Sequence, residues 1–267
     1  EPMSVPTLIR LASALNDSLE KRDTLVYFKD PDLQAFAHES GWDGTVRQGS
    51  ADYLYVVDSN VGWSKADRNI ERTVEYEIDL SRESGPRIVL NLGYKNHSGP
   101  GSVGCEPQWL NRGINYSDLK NACYWNYWRV YVPQGARLLS STPLPLPEHS
   151  VSVEIGKGVT DQDTLRVSSS YNKTVLSGLF ALAAGDGRNV TLVYDLPSEV
   201  ILRDGDDIHY QLVMPKQPGS RGRVVVYGGK KEFVGATILS SLAALRTGTG
   251  SVKIICSKGT IHTYSVK

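Results

Sequence analysis

"IERTVEYEIDL", residues 70–80, is the stretch on which the fold turns. Its even positions carry Ile70, Val74, Tyr76, Ile78 and Leu80, with Arg72 the one exception. Its odd positions carry Glu71, Thr73, Glu75, Glu77 and Asp79. Successive side chains of an extended chain point to opposite faces, so this pattern predicts a strand with one dry face and one acidic, wet face. "RIVLNLGY" (87–94) repeats the alternation through Ile88, Leu90, Leu92 and Tyr94. The turn-forming "SRESGP" (81–86) lies between the two runs, so they read as a hairpin.

Working outward, "YLYVVD" (53–58), "YWRVYVP" (127–133), "SVSVEI" (150–155), "NVTLVYDL" (189–196) and "DIHYQLVM" (207–214) supply further short strands. Turn residues separate them, and the set predicts antiparallel sheets stacked as a sandwich or barrel. "STPLPLPEH" (141–149) holds three prolines, which remove backbone donors and favour a semi-rigid extended crossing. Toward the N-terminus the period changes. Leu8, Leu11, Leu15 and Leu19 form one helical stripe. "TLVYF" (24–28) reads as a strand, and Asp30, Pro31 and Gly41 read as the cap, first turn and end of a second helix.

The 267 residues suffice for one large domain or two modest ones. Hydrophobic residues at 40% and charged residues at 22% are those of an ordinary folded protein. The formal net charge of zero hides an asymmetry: from Arg221 onward stand eight of the 29 Lys/Arg and one of the 29 Asp/Glu. All five tryptophans lie in the first half. A boundary near residue 220 follows, giving a helical segment (1–41), a β-rich domain (42–220) and a strand–glycine turn–helix–strand piece (221–267). The acidic balance of the main part argues against nucleic acid as a partner. No run of eighteen apolar residues is present to span a bilayer, and no signal peptide opens the chain, which leaves an upstream anchor or leader as an open expectation.

Several motifs together resemble a known family. "LVYFKDPDLQAFAHESGWDG" (25–44), "DYLYVVDSNVGWSKADRNIERTVEYEIDL" (52–80), "LNLGYKN" (90–96), "WNYWRVYVPQGARLL" (125–139) and "YQLVMPKQPGS" (210–220) are similar, in order and spacing, to domain-of-unknown-function family 4012 of bacterial envelope proteins. The resemblance covers roughly residues 5–220. It implies a β-rich, extracytoplasmic domain tethered to the cell membrane by an upstream helix, with envelope components or other proteins as partners. It implies no reaction.

"GRVVVYGGKKEFVGATILSSLAALRTGTG" (222–250) resembles a different family, the start of NAD(P)H-hydrate dehydratase, a cytoplasmic ribokinase-like lyase. Gly228, Gly229, Gly235 and Ala236 match its turn, and Ser240 and Ala243–Arg246 match its helix. The glycines would let backbone approach a ligand at a helix N-terminus. The family's Asn/Ala-Gly-Thr-Gly-Asp motif is absent, since "RTGTGS" (246–251) lacks the Asp and stands in the wrong place. The resemblance implies ADP or ATP with the hydrated nicotinamide as ligands. The alternative function, a truncated or fused fragment of that enzyme, depends on it.

Chemistry is sparse. Asp58, Asn60, Lys65 and Asp67 form the densest polar cluster, a candidate ligand or cation site, since hard cations take oxygen ligands. The plainer expectation is that Asp58 and Asn60 cap a strand end while Lys65 pairs with a carboxylate. "DGDD" (204–207) reads as a solvated acidic turn. In "CYWNYWRVYVP" (123–133) Trp128, Val130 and Val132 share one face and Tyr127, Arg129 and Tyr131 the other; one row is expected in the core, the other as a possible sugar platform. Cys105 and Cys123 stand either as one disulfide or as two buried thiols. No Cys-x-x-Cys, nucleophile elbow or His–Asp pairing is present, so neither a catalytic residue, a metal nor a cofactor is expected. The expectation is a non-catalytic binding or structural domain: mainly β with α, an antiparallel sandwich-like body with a helical N-terminal segment and a βαβ-like C-terminal appendage.

Overall fold

A computed structural model describes residues 4–80, 82, 84–99, 104–105, 113, 115–148, 150, 164–204, 207–215, 222–227 and 251–255. In chain order the elements are α1 (Val5–Glu20), α2 (Pro31–Ser40), β1 (Asp52–Tyr53), β2 (Tyr55–Asn60), β3 (Ile70–Asp79), β4 (Arg87–Asn96), α3 (Tyr116–Lys120), β5 (Tyr124–Pro133), β6 (Arg137–Ser141), β7 (Arg166–Ser170), β8 (Lys173–Leu182), β9 (Gly187–Asp195), β10 (Ile201–Asp204), β11 (Asp207–Tyr210), β12 (Leu212–Val213), β13 (Gly222–Tyr227) and β14 (Ser251–Ile255). Short 3-10 turns occupy Ala66–Asn69 and Ser198–Val200.

β3 and β4 form the expected hairpin, antiparallel from Ile70↔Asn96 to Asp79↔Arg87. They lie at the middle of a six-stranded sheet in the order β14-β13-β3-β4-β9-β6. A second sheet runs β2-β5-β8-β7, antiparallel throughout. The dry faces of the two sheets meet: Ile88, Leu90, Leu92 and Leu192 of the larger pack in one cluster with Trp128, Val130, Leu176 and Phe180 of the smaller. The protein is thus mainly β, an antiparallel sandwich, because each alternating strand has one apolar face to hide and only another sheet is broad enough to hide it. The pairing is tight at one point. Gly178 lies opposite Trp128, and a Cβ there would come within 2.7 Å of the indole.

α1 and α2 form where the leucine stripe and the cap residues predict. Asp30 accepts from the Asp32 and Leu33 amides, and Gly41 closes α2 in the left-handed region at φ 75°, a conformation that glycine takes without strain. "TLVYF" (24–28) corrects the expectation of a strand. The segment joins no sheet, because no strand among the described residues lies beside it. Its Val26 amide donates to the Trp42 carbonyl and its Phe28 amide to Gln34 Oε1. Val46 packs on Tyr53, Tyr131 and Val175 at the outer face of the smaller sheet.

The proline stretch is a non-strand connection after β6, with Leu144 fully buried. "SVSVEI" lies, Ser150 apart, outside the described residues. β6 pairs with β9 through a register shift between Leu138 and Ser140. β1 pairs with β12 in parallel, and β10 with β11 in an antiparallel hairpin. β13 is parallel to β3 and β14 is parallel to β13, so the charge break near residue 220 falls between strands of one sheet, at its edge.

Candidate functional site

Of the four polar residues singled out in 56–67, the structure brings two together. Asp58 points inward from β2 into the sandwich and Asp67 stands on the following 3-10 turn. Both meet Arg72, the odd residue on the dry face of β3. Arg72 Nε donates to Asp58 Oδ2 at 2.9 Å, and Nη2 donates to Asp67 Oδ1 at 2.5 Å and to the Tyr124 hydroxyl at 2.9 Å. Asp58 Oδ1 accepts from the Tyr94 hydroxyl at 2.9 Å and from Asn126 Nδ2 at 2.6 Å. The Asp58 side chain is 5% exposed and that of Arg72 12%. Burial alone would lower the guanidinium, but Tyr124, Asp58 and Asp67 outweigh it and hold Arg72 more firmly protonated than usual. Burial, and then Asp58, pushes the Tyr94 and Tyr124 hydroxyls well above their ordinary range.

This network joins β2 and β5 of one sheet to β3 and β4 of the other. A buried carboxylate is tolerated because its lone pairs are taken by three donors, one of them charged. Asn60 does something separate: its amide donates to the Ser64 carbonyl and hydroxyl and shapes the turn after β2. Lys65 is exposed and its backbone amide donates to the Leu119 carbonyl. Among the described residues Lys65 forms no ion pair, and Arg72 is the cation that meets Asp58 and Asp67. Arg72, Tyr94, Tyr124 and Asn126 are the members that the sequence reading passed over. The signal for them was the charged exception in an otherwise apolar row.

A second buried polar group surrounds Asp52 on β1, which is fully buried. Asp52 Oδ1 accepts from the Tyr53 amide at 2.7 Å, and Oδ2 accepts from the Tyr76 hydroxyl at 2.5 Å and from the Tyr210 hydroxyl. Burial raises the Asp52 carboxyl above its ordinary value despite these donors and the pull of Lys173. It gathers β1, β3 and β11 around one carboxyl group, as a brace between the small strand pairs and the larger sheet.

Cys105 and Cys123 are joined as a disulfide. Trp125 Nε1 donates to the Cys105 carbonyl at 2.8 Å, which ties the loop to β5. Trp128 is fully buried and Tyr127 exposed, the two-faced reading of that strand. Trp125 and Tyr131 are buried as well, so the sugar platform is corrected: of the aromatics on β5, Tyr127 alone offers an open ring. "DGDD" forms the end of the β10–β11 hairpin, where Asp204 faces Asp207; residues 205–206 lie outside the described residues. So do Gly228, Gly229, Gly235, Ala236 and the "RTGTGS" run except Ser251. Among the described residues no group of three or more His, Cys, Asp or Glu comes together to hold a metal, and no helix is long and apolar enough to cross a membrane.

Neither a protein-family model nor a curated protein matches this sequence. Among solved structures, a candidate nutrient-binding protein from Legionella pneumophila is similar at a TM-score of 0.27 and 7% sequence identity, over 54% of this chain and 42% of that one. This chain therefore spans less than half of that protein's length, and so slight a likeness carries no argument about fold or function.

Proposed function

We propose that the chain is a non-catalytic binding or structural domain of the bacterial cell envelope, held at the membrane by a helix that precedes it, with its ligand or partner met by loops at the ends of the sandwich. The observation that carries the non-catalytic part is the fate of the candidate carboxylates. Asp58 and Asp67 both spend their charge on Arg72, and Asp58 has its remaining capacity taken by Tyr94 and Asn126. A general acid, base or nucleophile needs an approach for substrate, which this arrangement denies to Asp58. The Cys105–Cys123 bond supports the location, since disulfides persist in oxidising compartments and are rare in the cytosol.

The test is the thiol state of the full chain inside the cells that make it. Cells are quenched in acid and alkylated with a mass-shifting maleimide before any reduction. One modification, on Cys256, is the expected result, rising to three after reduction. Three modifications without reduction would place the protein in a reducing compartment and end this reading.

A further inference from the structure

Three half-buried arginines, Arg22, Arg47 and Arg129, lie at the outer face of the smaller sheet, and among the described residues none of them is ion-paired. Arg22 stands just beyond α1, and Arg47 lies in the segment that leads into β1. Gly41 locates them relative to one another. The position of a Cβ on Gly41 would be 2.8 Å from Arg47 Nη2 and 3.1 Å from Arg22 Nη2, so the two guanidinium nitrogens are separated by no more than those two lengths together. Arg47 Nη2 donates to the His38 carbonyl at 2.9 Å, and the end of α2 thus holds one of the pair. Arg22 makes no side-chain hydrogen bond, and neither it, Arg47 nor Arg129 forms an ion pair, among the described residues. Of the carboxylates between Arg22 and Arg47 in sequence, Asp43 is taken by His38 and Thr45, and Asp30 by the amides that open α2.

The floor beneath them is tyrosine. The Tyr53 hydroxyl is buried, has no hydrogen-bond partner, and lies in the fields of both Arg22 and Arg47. The Arg47 backbone amide also favours the ionised form of that hydroxyl. Tyr55, next along the face, lies in the fields of Arg22 and Arg129. Arg129 itself has a buried, unpartnered Nε, and its Nη1 donates weakly to the Tyr131 hydroxyl at 3.4 Å. Like charges held together over unused donors are a costly arrangement unless an anion completes it, and the guanidinium fork fits planar or tetrahedral oxyanions in particular.

We propose that Arg22, Arg47 and Arg129, over Tyr53 and Tyr55, form a binding site for the oxyanion of a small organic ligand, a carboxylate or a phosphate. The site goes beyond the proposed envelope role and stands whether or not that role is correct, because the thiol test and the binding test share no readout.

The test uses the full chain in a chloride buffer of fixed ionic strength, titrated with inorganic phosphate and, separately, with glucuronate, and followed by calorimetry. Saturable one-to-one binding of at least one anion is expected, the responding probe identifying which oxyanion the site takes. Arg22→Gln and Arg129→Gln should each weaken it at least tenfold, while Arg68→Gln, on the exposed 3-10 turn, should leave it unchanged. Arg22→Lys, which keeps the charge and loses the fork, should fall between. Thermal unfolding in anion-free buffer checks the fold; removing one of two like charges should leave the midpoint unchanged or raised. Should Arg22→Gln fold poorly, Arg129→Gln decides. The proposal is overturned if neither anion gives saturable heat, or if the folded Gln variants bind as the parent does.

Discussion

Replacing Arg72 with Met keeps most of the side chain's volume and removes its charge, leaving Asp58 buried beside an apolar group. The cost can be worked from the individual contacts. The Asp67 arm contributes little, because that carboxylate is 52% exposed and an exposed pair stabilises by about 0–1 kcal/mol. The Asp58 arm decides the outcome, since removing one partner of a buried pair costs about 3–5 kcal/mol through the uncompensated charge left behind. Tyr94 and Asn126 still donate to Asp58, which moves the expectation toward about 3 kcal/mol. At about 2–4 °C per kcal/mol for a chain of this size, Tm should drop by roughly 6–12 °C. Urea unfolding followed by tryptophan fluorescence measures the loss directly, with five indoles in the first half of the chain as reporters. A loss below about 1 kcal/mol would refute the reasoning, because the pair would then behave as a surface contact. The double variant Arg72→Met/Asp58→Asn should recover at least half of the loss. If it recovers none, the damage comes from packing and not from the stranded charge.

Asp52→Asn tests the second buried group through pH. A carboxyl raised in the folded state holds more protons than the unfolded chain, so its contribution to stability is fully present below about pH 4 and is lost as pH rises through the folded value. The stability of the Asn variant relative to the parent should therefore improve between pH 4 and pH 7 in denaturant titrations; an unchanged difference would show that Asp52 does not titrate on folding. Reducing the Cys105–Cys123 bond, which spans 18 residues, should cost about 3 kcal/mol by the loop-entropy relation, read as a lower urea midpoint with dithiothreitol. Gly178→Ala should cost about 1–3 kcal/mol by overpacking against Trp128, and Gly178→Ala/Trp128→Phe should regain part of it by opening room for the methyl group.

The sandwich was legible in the sequence because alternation is a local property. Ile88, Leu90, Leu92 and Tyr94 declare their common face within eight residues, and each is buried. The α2 caps were legible for the same reason, since Asp30 and Gly41 act on their own helix. "TLVYF" misled because strand composition states a preference, whereas a strand needs a neighbour to bond, and no described strand is placed beside residues 24–28. The site was half legible. Asp58 and Asp67 stood out as a cluster, but their partners Tyr94, Tyr124 and Asn126 arrive from strands up to 68 residues away, a distance that pattern reading does not bridge. Arg72 carried the one local hint, since a cation in a dry row demands a buried anion. The arginine pair at Gly41 gave none, because its two members come from opposite ends of a helix-containing loop.

The register shift within β6 has a bearing on how copies of the protein behave together. Among the described residues β6 is an end strand of the six-stranded sheet, and an end strand offers its free amides and carbonyls to any extended chain alongside. The bulge between Leu138 and Ser140 puts those groups out of step with a regular partner, and Arg137, largely exposed at the start of the strand, adds a charge to the same border. Straightening β6 by deleting Leu139 would remove that mismatch and should favour fibrillar self-association at high concentration, even in a chain whose folded interior is untouched.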